Sequence, residues 1–184
     1  SSSAKPKSAL CDSLKKTLEQ KPFDKISISD ITGECGLNRQ SFLLPFQDKY
    51  ELLSYIYLHE LFADITKGVN YDNWYERLEG FLVNMLKDKR FYSNTLKSNE
   101  KIFEHYLFRS MHKLFIRFFY HAVAITRKRS DKAKFFADLF YGYCGIIIEL
   151  ATGGMRETPH DVMLKMRELA YENVTIGEGF RQNL

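Results

Sequence analysis

The chain has little cysteine, little net charge and no long apolar run. Its three cysteines, Cys11, Cys35 and Cys144, stand far apart with no Cys-x-x-Cys pair and no Cys/His ligand spacing. That pattern argues against a disulfide framework and a structural zinc site, and it fits a reducing compartment. The apolar stretch around Cys144 to Leu150 is interrupted by Glu149, short of the roughly 18 residues needed to cross a membrane, and no membrane partner is expected. Net charge is only +4, and residues 1–50 carry eight Lys or Arg against six Asp or Glu, so bulk charge does not identify a nucleic-acid binder. His105 and His112 share a helix face by their spacing, but nothing completes a metal-ligand set; neither metal nor cofactor is expected. Catalytic signatures are missing too. His59-Glu60 lacks the second histidine of a zinc protease, and there is no Ser/His/Asp order, phosphate loop or paired carboxylate motif, so no catalytic residue is assigned and an enzyme has no positive support.

What is present is helical punctuation. The segment ISISDITGECGLNRQSFLLPF, from Ile26 to Phe46, reads as a helix-turn-helix. Ser27 caps the first helix and Asp30 answers it three residues later, while Ile28 and Ile31 point to the core. Thr32 is small enough for close helix approach. Gly36 falls where the chain must turn with positive φ, between the apolar plugs Cys35 and Leu37. Asn38 caps a second helix that buries Phe42 and Phe46 and leaves Arg39, Gln40, Leu43 and Leu44 outward. Arg and Gln at the start of such a helix suit base edges, whereas Lys25 and Lys49, at turns or helix starts, suit phosphates. The candidate DNA-binding set is Lys25, Ser27, Asn38, Arg39, Gln40, Ser41, Leu43, Leu44 and Lys49. Pro45 removes an N–H and biases Leu44 away from the α region, so the second helix is expected to end or kink near Leu44.

Beyond this motif the chain reads as all-α, with about nine helices and no convincing strand, internal repeat or late low-complexity tract. Asp48 with Glu51 forms a second capping box for a helix running to about Thr66 and stopped by Gly68. Trp74, Leu78, Phe81 and Met85 make one stripe. A short helix over Phe91 to Leu96 precedes a long stripe of Phe103, Leu107, Met111, Leu114, Phe118, Ala122 and Ile125, which breaks at Arg127-Lys128-Arg129-Ser130. The next helix, capped by Ser130 or Asp131, runs to about Thr152, and a last one follows Thr158-Pro159 with Val162, Met166, Leu169 and Asn173. Residues 1–7 are expected to be a disordered tail with Ser1-Ser2-Ser3 an expression remnant, Lys5 and Lys7 offering a candidate groove-binding arm. No signal-peptide pattern is visible.

From Ser8 to Leu53 the chain resembles the TetR family of bacterial transcriptional regulators, on a helix followed by KPFDKISISDITGECGLNRQSF and then F-x-D-K-x-E-L-L. The segment FYGYCGIIIELATGGMRETPHDV is similar to the subgroup that includes the activator of bacterial dihydroxyacetone kinase operons. The resemblance implies a helix-turn-helix domain over residues 8–53, a helical regulatory and dimerisation domain over 54–184, and a cytoplasmic homodimeric repressor or activator on double-stranded operator DNA. It also implies a phosphate-clasping tyrosine where this chain has Leu43, and another aromatic or His where it has Leu44-Pro45. Loss of DNA binding in favour of protein contact is one alternative, and control by a partner protein instead of a small-molecule effector is another.

Leu139, Tyr143, Ile146 and Leu150 form an apolar stripe, and Gly142 and Gly145 open a smooth second side, so this helix must be buried on more than one side. The resemblance makes that side a four-helix dimer interface, with Leu139, Gly142, Gly145, Ile146, Leu150, Val162, Met166 and Leu169 as its members. Two recognition helices about 34 Å apart would then read a palindrome. Aromatics form 15% of the chain, and Phe103, Tyr106, Phe115, Phe119, Phe140 and Tyr143 are the candidate lining of an effector pocket. For any single member of that set ordinary core packing is the stronger reading.

Overall fold

The computed structural model describes the backbone of residues 4–69, 73–126 and 130–182, and side chains within these except at 4, 66, 74, 114–138, 170, 171 and 173–182. Every described regular element is helical. In chain order these are α1 (Ala4–Thr17), a 3-10 turn (Phe23–Lys25), α2 (Ile28–Glu34), α3 (Arg39–Leu43), α4 (Lys49–Ile56), a π segment (Tyr57–Phe62), α5 (Ala63–Thr66), α6 (Trp74–Lys87), α7 (Lys89–Thr126), α8 (Ser130–Thr152) and α9 (Pro159–Gln182).

Two boundaries differ from the sequence expectation. The helix from Asp48 toward Thr66 is one rod, but its middle turn is wound as a π segment, with Ile56, Tyr57 and Ala63 all in the right-handed helical region. The short helix near Phe91 and the long one after it are merged into α7, which kinks at Asn99 (φ −139°, ψ 37°). With α4, the π segment and α5 taken as one rod, the described residues form eight rods, or nine when α7 is divided at Asn99. Asn99 leaves helical geometry between Leu96 and Phe103, where the sequence predicts one helix to end and the next to begin.

The expected tail is also shorter than read. Ala4 to Lys7 already belong to α1, and the Lys7 ammonium lies 5.2 Å from the Tyr55 ring centroid and 6.0 Å from that of Phe46. Lys7 therefore packs on the head, its cation over two π faces. Ser1 to Ser3 and the basic residues Arg127 to Arg129 lie outside the described residues, as do the side chains of Trp74, Leu114, Phe118, Ala122, Ile125, Ser130, Asp131 and Asn173.

One apolar cluster runs through the molecule, from Leu10, Leu14, Phe23, Ile31, Phe42 and Leu53 in the head to Phe81, Phe103, Ile147, Val162 and Met166 in the body. Its hinge is aromatic. Tyr57 meets Phe91, Tyr92 and Phe103 at ring-centroid distances of 6.3, 5.6 and 6.0 Å, and its hydroxyl hydrogen-bonds Thr95 Oγ1. Burial pushes the Tyr57 phenol well above its ordinary value. Polar ties join head to body at the same place. The end of α1 is held by Arg90 Nη2, which donates to the Glu19 carbonyl at 3.1 Å, and by Asn94 Nδ2 to the Leu18 carbonyl at 3.5 Å. Lys15 pairs with both Glu60 and Asp88. Of these side chains, Arg90 and Asn94 satisfy carbonyls that a helix C-terminus leaves without partners.

Candidate nucleic-acid interface

The helix-turn-helix is fixed by caps at both helix starts. Ser27 Oγ accepts from the Asp30 N–H at 3.1 Å, and the Asp30 carboxylate accepts from the Ser27 N–H at 2.8 Å, closing the expected capping box. Lys21 donates to the same carboxylate at 2.6 Å; that ammonium first, then the Ser27 N–H and hydroxyl, holds the Asp30 pKa down to about 2. Gly36 has φ 68°, the left-handed conformation the corner requires, and the chain re-enters through a Leu37 N–H to Thr32 carbonyl bond of 2.9 Å. Ser13 Oγ donates to the Ile31 carbonyl and ties α1 to α2.

α3 is capped by Asn38, whose Oδ1 accepts from the Ser41 N–H at 2.8 Å and from its hydroxyl at 3.0 Å. Phe42 is fully buried and Phe46 nearly so, 6.0 Å apart between ring centroids, with Tyr55 5.3 Å beyond Phe46. With one side nailed down, the other is open. Arg39 and Gln40 are exposed, Leu43 is 44% exposed and Leu44 81%. Ser27, Asn38 and Ser41 are committed to the caps, so within the candidate set they orient the helices more than they reach outward.

Pro45 does less damage than its position suggests. α3 ends at Leu43 as expected, yet Leu44 keeps right-handed helical dihedrals (φ −67°, ψ −52°) and its N–H reaches the Gln40 carbonyl at 3.0 Å. The next bond past the proline, Phe46 N–H to the Phe42 carbonyl, is 3.1 Å. Proline thus forfeits only its own donor in a last turn that continues around it.

Lys49 departs from its expected phosphate role. Its ammonium donates to the carbonyls of Phe23, Asp24 and Ile26 at 2.9, 3.2 and 2.9 Å and sits 4.8 Å from the Phe23 ring centroid. An ammonium has three hydrogens, and all three are taken. The expected box at α4 is likewise half altered: Asp48 Oδ1 caps Tyr50 and Glu51 N–H at 2.9 and 2.8 Å, but Glu51 reaches back one residue further, accepting from Gln47 N–H at 2.6 Å. Sequence reasoning passed over Tyr50, a 45% exposed phenol beside Lys49 in the first turn of α4.

The expected interface members Leu139, Leu150, Val162 and Met166 are 6%, 3%, 0% and 0% exposed within the single chain, so they belong to its core and have no area left to give a partner. Gly142 faces inward as well, since a Cβ there would collide with a Leu169 methyl, and both serve the packing of α8 on α9. Tyr143 donates to the Met166 carbonyl at 3.0 Å in the same contact. Gly145 is different, being exposed with open space around its Cβ position, and Ile146 is half-buried. Among the described residues of these two helices, Tyr141 (67% exposed) and Leu164 (40%) are the large apolar side chains presented outward. Of the expected set, Gly145 and Ile146 keep exposed area on the outer side of α8, whereas Leu139, Leu150, Val162 and Met166 belong to the core.

Of the expected effector-pocket residues, Phe103 is packed by Tyr57 and Phe62, Tyr106 stacks on Phe62 at 6.2 Å, and Phe140 lies 6.0 Å from Phe108. Together with Tyr143 these serve side-chain packing, while the side chains of Phe115 and Phe119 lie outside the described residues. A groove of about 400 Å³ occurs elsewhere, between the end of α1 and α7, lined in part by Leu18, Glu19, Lys21, Arg90, Asn94 and Lys97. Among the described helices none is long and apolar enough to cross a membrane.

Comparison with known proteins bears on both halves. The model of the transcriptional regulator C-terminal region of TetR type matches residues 72–172. The HTH-type dhaKLM operon transcriptional activator DhaS of Lactococcus lactis subsp. lactis (strain IL1403) is 27% identical over 97 residues, 53% of this chain and 51% of the relative, so the chain spans about half the length of the curated relative it matches. Among solved structures, a dihydroxyacetone kinase operon activator DhaS superposes with a TM-score of 0.73 at 20% identity, covering 93% of this chain and 97% of the other. A TetR transcriptional regulator from Streptococcus agalactiae 2603V gives 0.60 at 18% identity, covering 92% and 95%. These likenesses show the fold, and the matched region, more than half of the chain, shows the family: the protein belongs to the TetR family of transcriptional regulators.

Proposed function

We propose that this regulator binds operator DNA as a homodimer, with α3 of each subunit in the major groove. The observation that carries the reading is the division of α3 into a fixed side, made by the Asn38 cap and buried Phe42, and an open side bearing Arg39, Gln40, Leu43 and Leu44. Arg39 and Gln40 suit guanine and adenine edges; Leu43 and Leu44 suit thymine methyl groups. Lys25 and Tyr50, both exposed, supply the phosphate contacts, and Lys49 holds the turn from which Lys25 projects. Residues 8–53 act as the reading head and 54–184 as the regulatory and dimerising body. The outward faces of α8 and α9 form the subunit contact, with Gly145 kept from the expected set and Tyr141 and Leu164 taking the place of its buried members. Control comes from a small-molecule effector or a partner protein acting on the body, and the Lactococcus relative, an operon transcriptional activator, supports activation as the direction.

The test is selection of genomic fragments by the purified full chain, followed by anisotropy titration of the enriched site. A palindrome with half-sites about one duplex turn apart is expected. No enrichment would overturn the reading and favour the second one, in which the exposed Leu43 and Leu44 pair contacts a protein.

A further inference from the structure

The groove at the head–body junction combines a ligand-sized volume with a charged, polar lining. Its volume of about 400 Å³ lies within the roughly 300–1,000 Å³ typical of small-molecule sites. Three cations line it, Lys21, Arg90 and Lys97, against the carboxylates of Glu19 and Asp24. Lys21 is partly neutralised by Asp30, whereas Lys97 has no ion-pair partner among the described residues. Arg90 spends Nη2 on the Glu19 carbonyl, one of the five donors a guanidinium carries. Asn94 and Ser98 add neutral hydrogen-bonding groups from the same helix. A bare polyanion would meet repulsion from Glu19 and Asp24, but hydroxyl groups would donate to those carboxylates while an anionic group met Lys97 and Arg90.

We propose that this groove binds a small organic anion that also carries hydroxyl groups. Because Arg90 and Asn94 are the side chains that hold the end of α1 to α7, a ligand that draws the guanidinium toward its own charge weakens that hold and lowers the affinity of the head for DNA. This second step rests on the operator-binding reading; the binding step does not.

Calorimetric titration of the full chain at fixed ionic strength separates the two. Ribose 5-phosphate and gluconate distinguish a phosphoryl from a carboxylate group, with neutral ribose as the comparison. Saturable binding of at least one anion and none of ribose is expected, weakened about tenfold or more by Lys97→Glu but unchanged by Lys101→Glu, an exposed lysine of the same helix that does not line the groove. Both variants should keep the wild-type circular dichroism melting curve. No saturable binding, or equal binding by wild type and Lys97→Glu, would overturn the site. The bound anion should also weaken operator binding by the wild type and not by Lys97→Glu, and unchanged DNA affinity at saturation would overturn the coupling. Failure of the protein to bind any DNA would count against the operator reading alone, with the site still decided by calorimetry.

Discussion

Lys49 clamps Phe23 twice, by a 2.9 Å hydrogen bond to its carbonyl and by lying 4.8 Å from its ring centroid. With the Asp24 and Ile26 carbonyls also bound, the side chain welds the 3-10 turn to the first turn of α4. Lys49→Met keeps the aliphatic stem and removes all three donors. It should destabilise the protein by roughly 2–3 kcal/mol in urea unfolding, the scale of losing charge-assisted bonds to partly buried carbonyls. The salt slope of DNA binding should stay as in the wild type, and a slope reduced by about one would return Lys49 to the phosphate contacts.

Lys25 is the contrasting case, exposed on the very turn that Lys49 holds. Lys25→Met should lower affinity for operator and random duplex alike and flatten the salt dependence, with no change in unfolding midpoint. Arg39→Ala and Gln40→Ala should instead each cost about 1–3 kcal/mol on the selected operator and relax base preference, since both sit in the capped first turn of α3, upstream of Pro45. Equal losses on random duplex would remove their base-reading role.

Gly145→Arg tests the subunit contact cleanly, because a Cβ at that position meets nothing within 4 Å and the single chain can accommodate the new side chain. The wild type should sediment as a dimer at micromolar concentration and the variant as a monomer with unaltered helicity. A dimeric Gly145→Arg protein would move the contact away from α8. Gly142→Arg would be uninformative here, as it strikes Leu169 within the same chain.

The Asp30 carboxylate is held down from 3.8 to about 2 by Lys21 and by the Ser27 N–H and hydroxyl. A folded-state value below the unfolded one means that the unfolded chain binds the extra proton as pH falls. The stabilisation from this cap is therefore complete above about pH 5 and is lost as pH drops through the folded-state value. In thermal unfolding followed by circular dichroism, Asp30→Asn should be less stable than the wild type at neutral pH, and the gap should close toward about pH 2. A gap constant over that range would show that charge has no part in the cap.

The local sequence alone determined the head. Ser27, Asp30, Gly36, Asn38 and Phe42 act within three or four residues of one another, so their spacing dictated the caps, the positive φ and the buried side before any tertiary contact was known. The all-α fold followed from apolar periodicity in the same way. Periodicity, however, says that a helix has an apolar face and not which neighbour covers it. Leu139, Leu150, Val162 and Met166 have the pattern of an interface and are core because α8 and α9 cover one another; Gly145 and Tyr141 look outward for the same reason. Lys49 is a surface lysine by its motif and a clamp by its contacts with a turn 23 to 26 residues away. Only the tertiary structure brought the end of α1 against α7, because the Arg90 and Asn94 donors and the carbonyls they satisfy are 71 and 76 residues apart, beyond any repeat that a helix writes into its sequence.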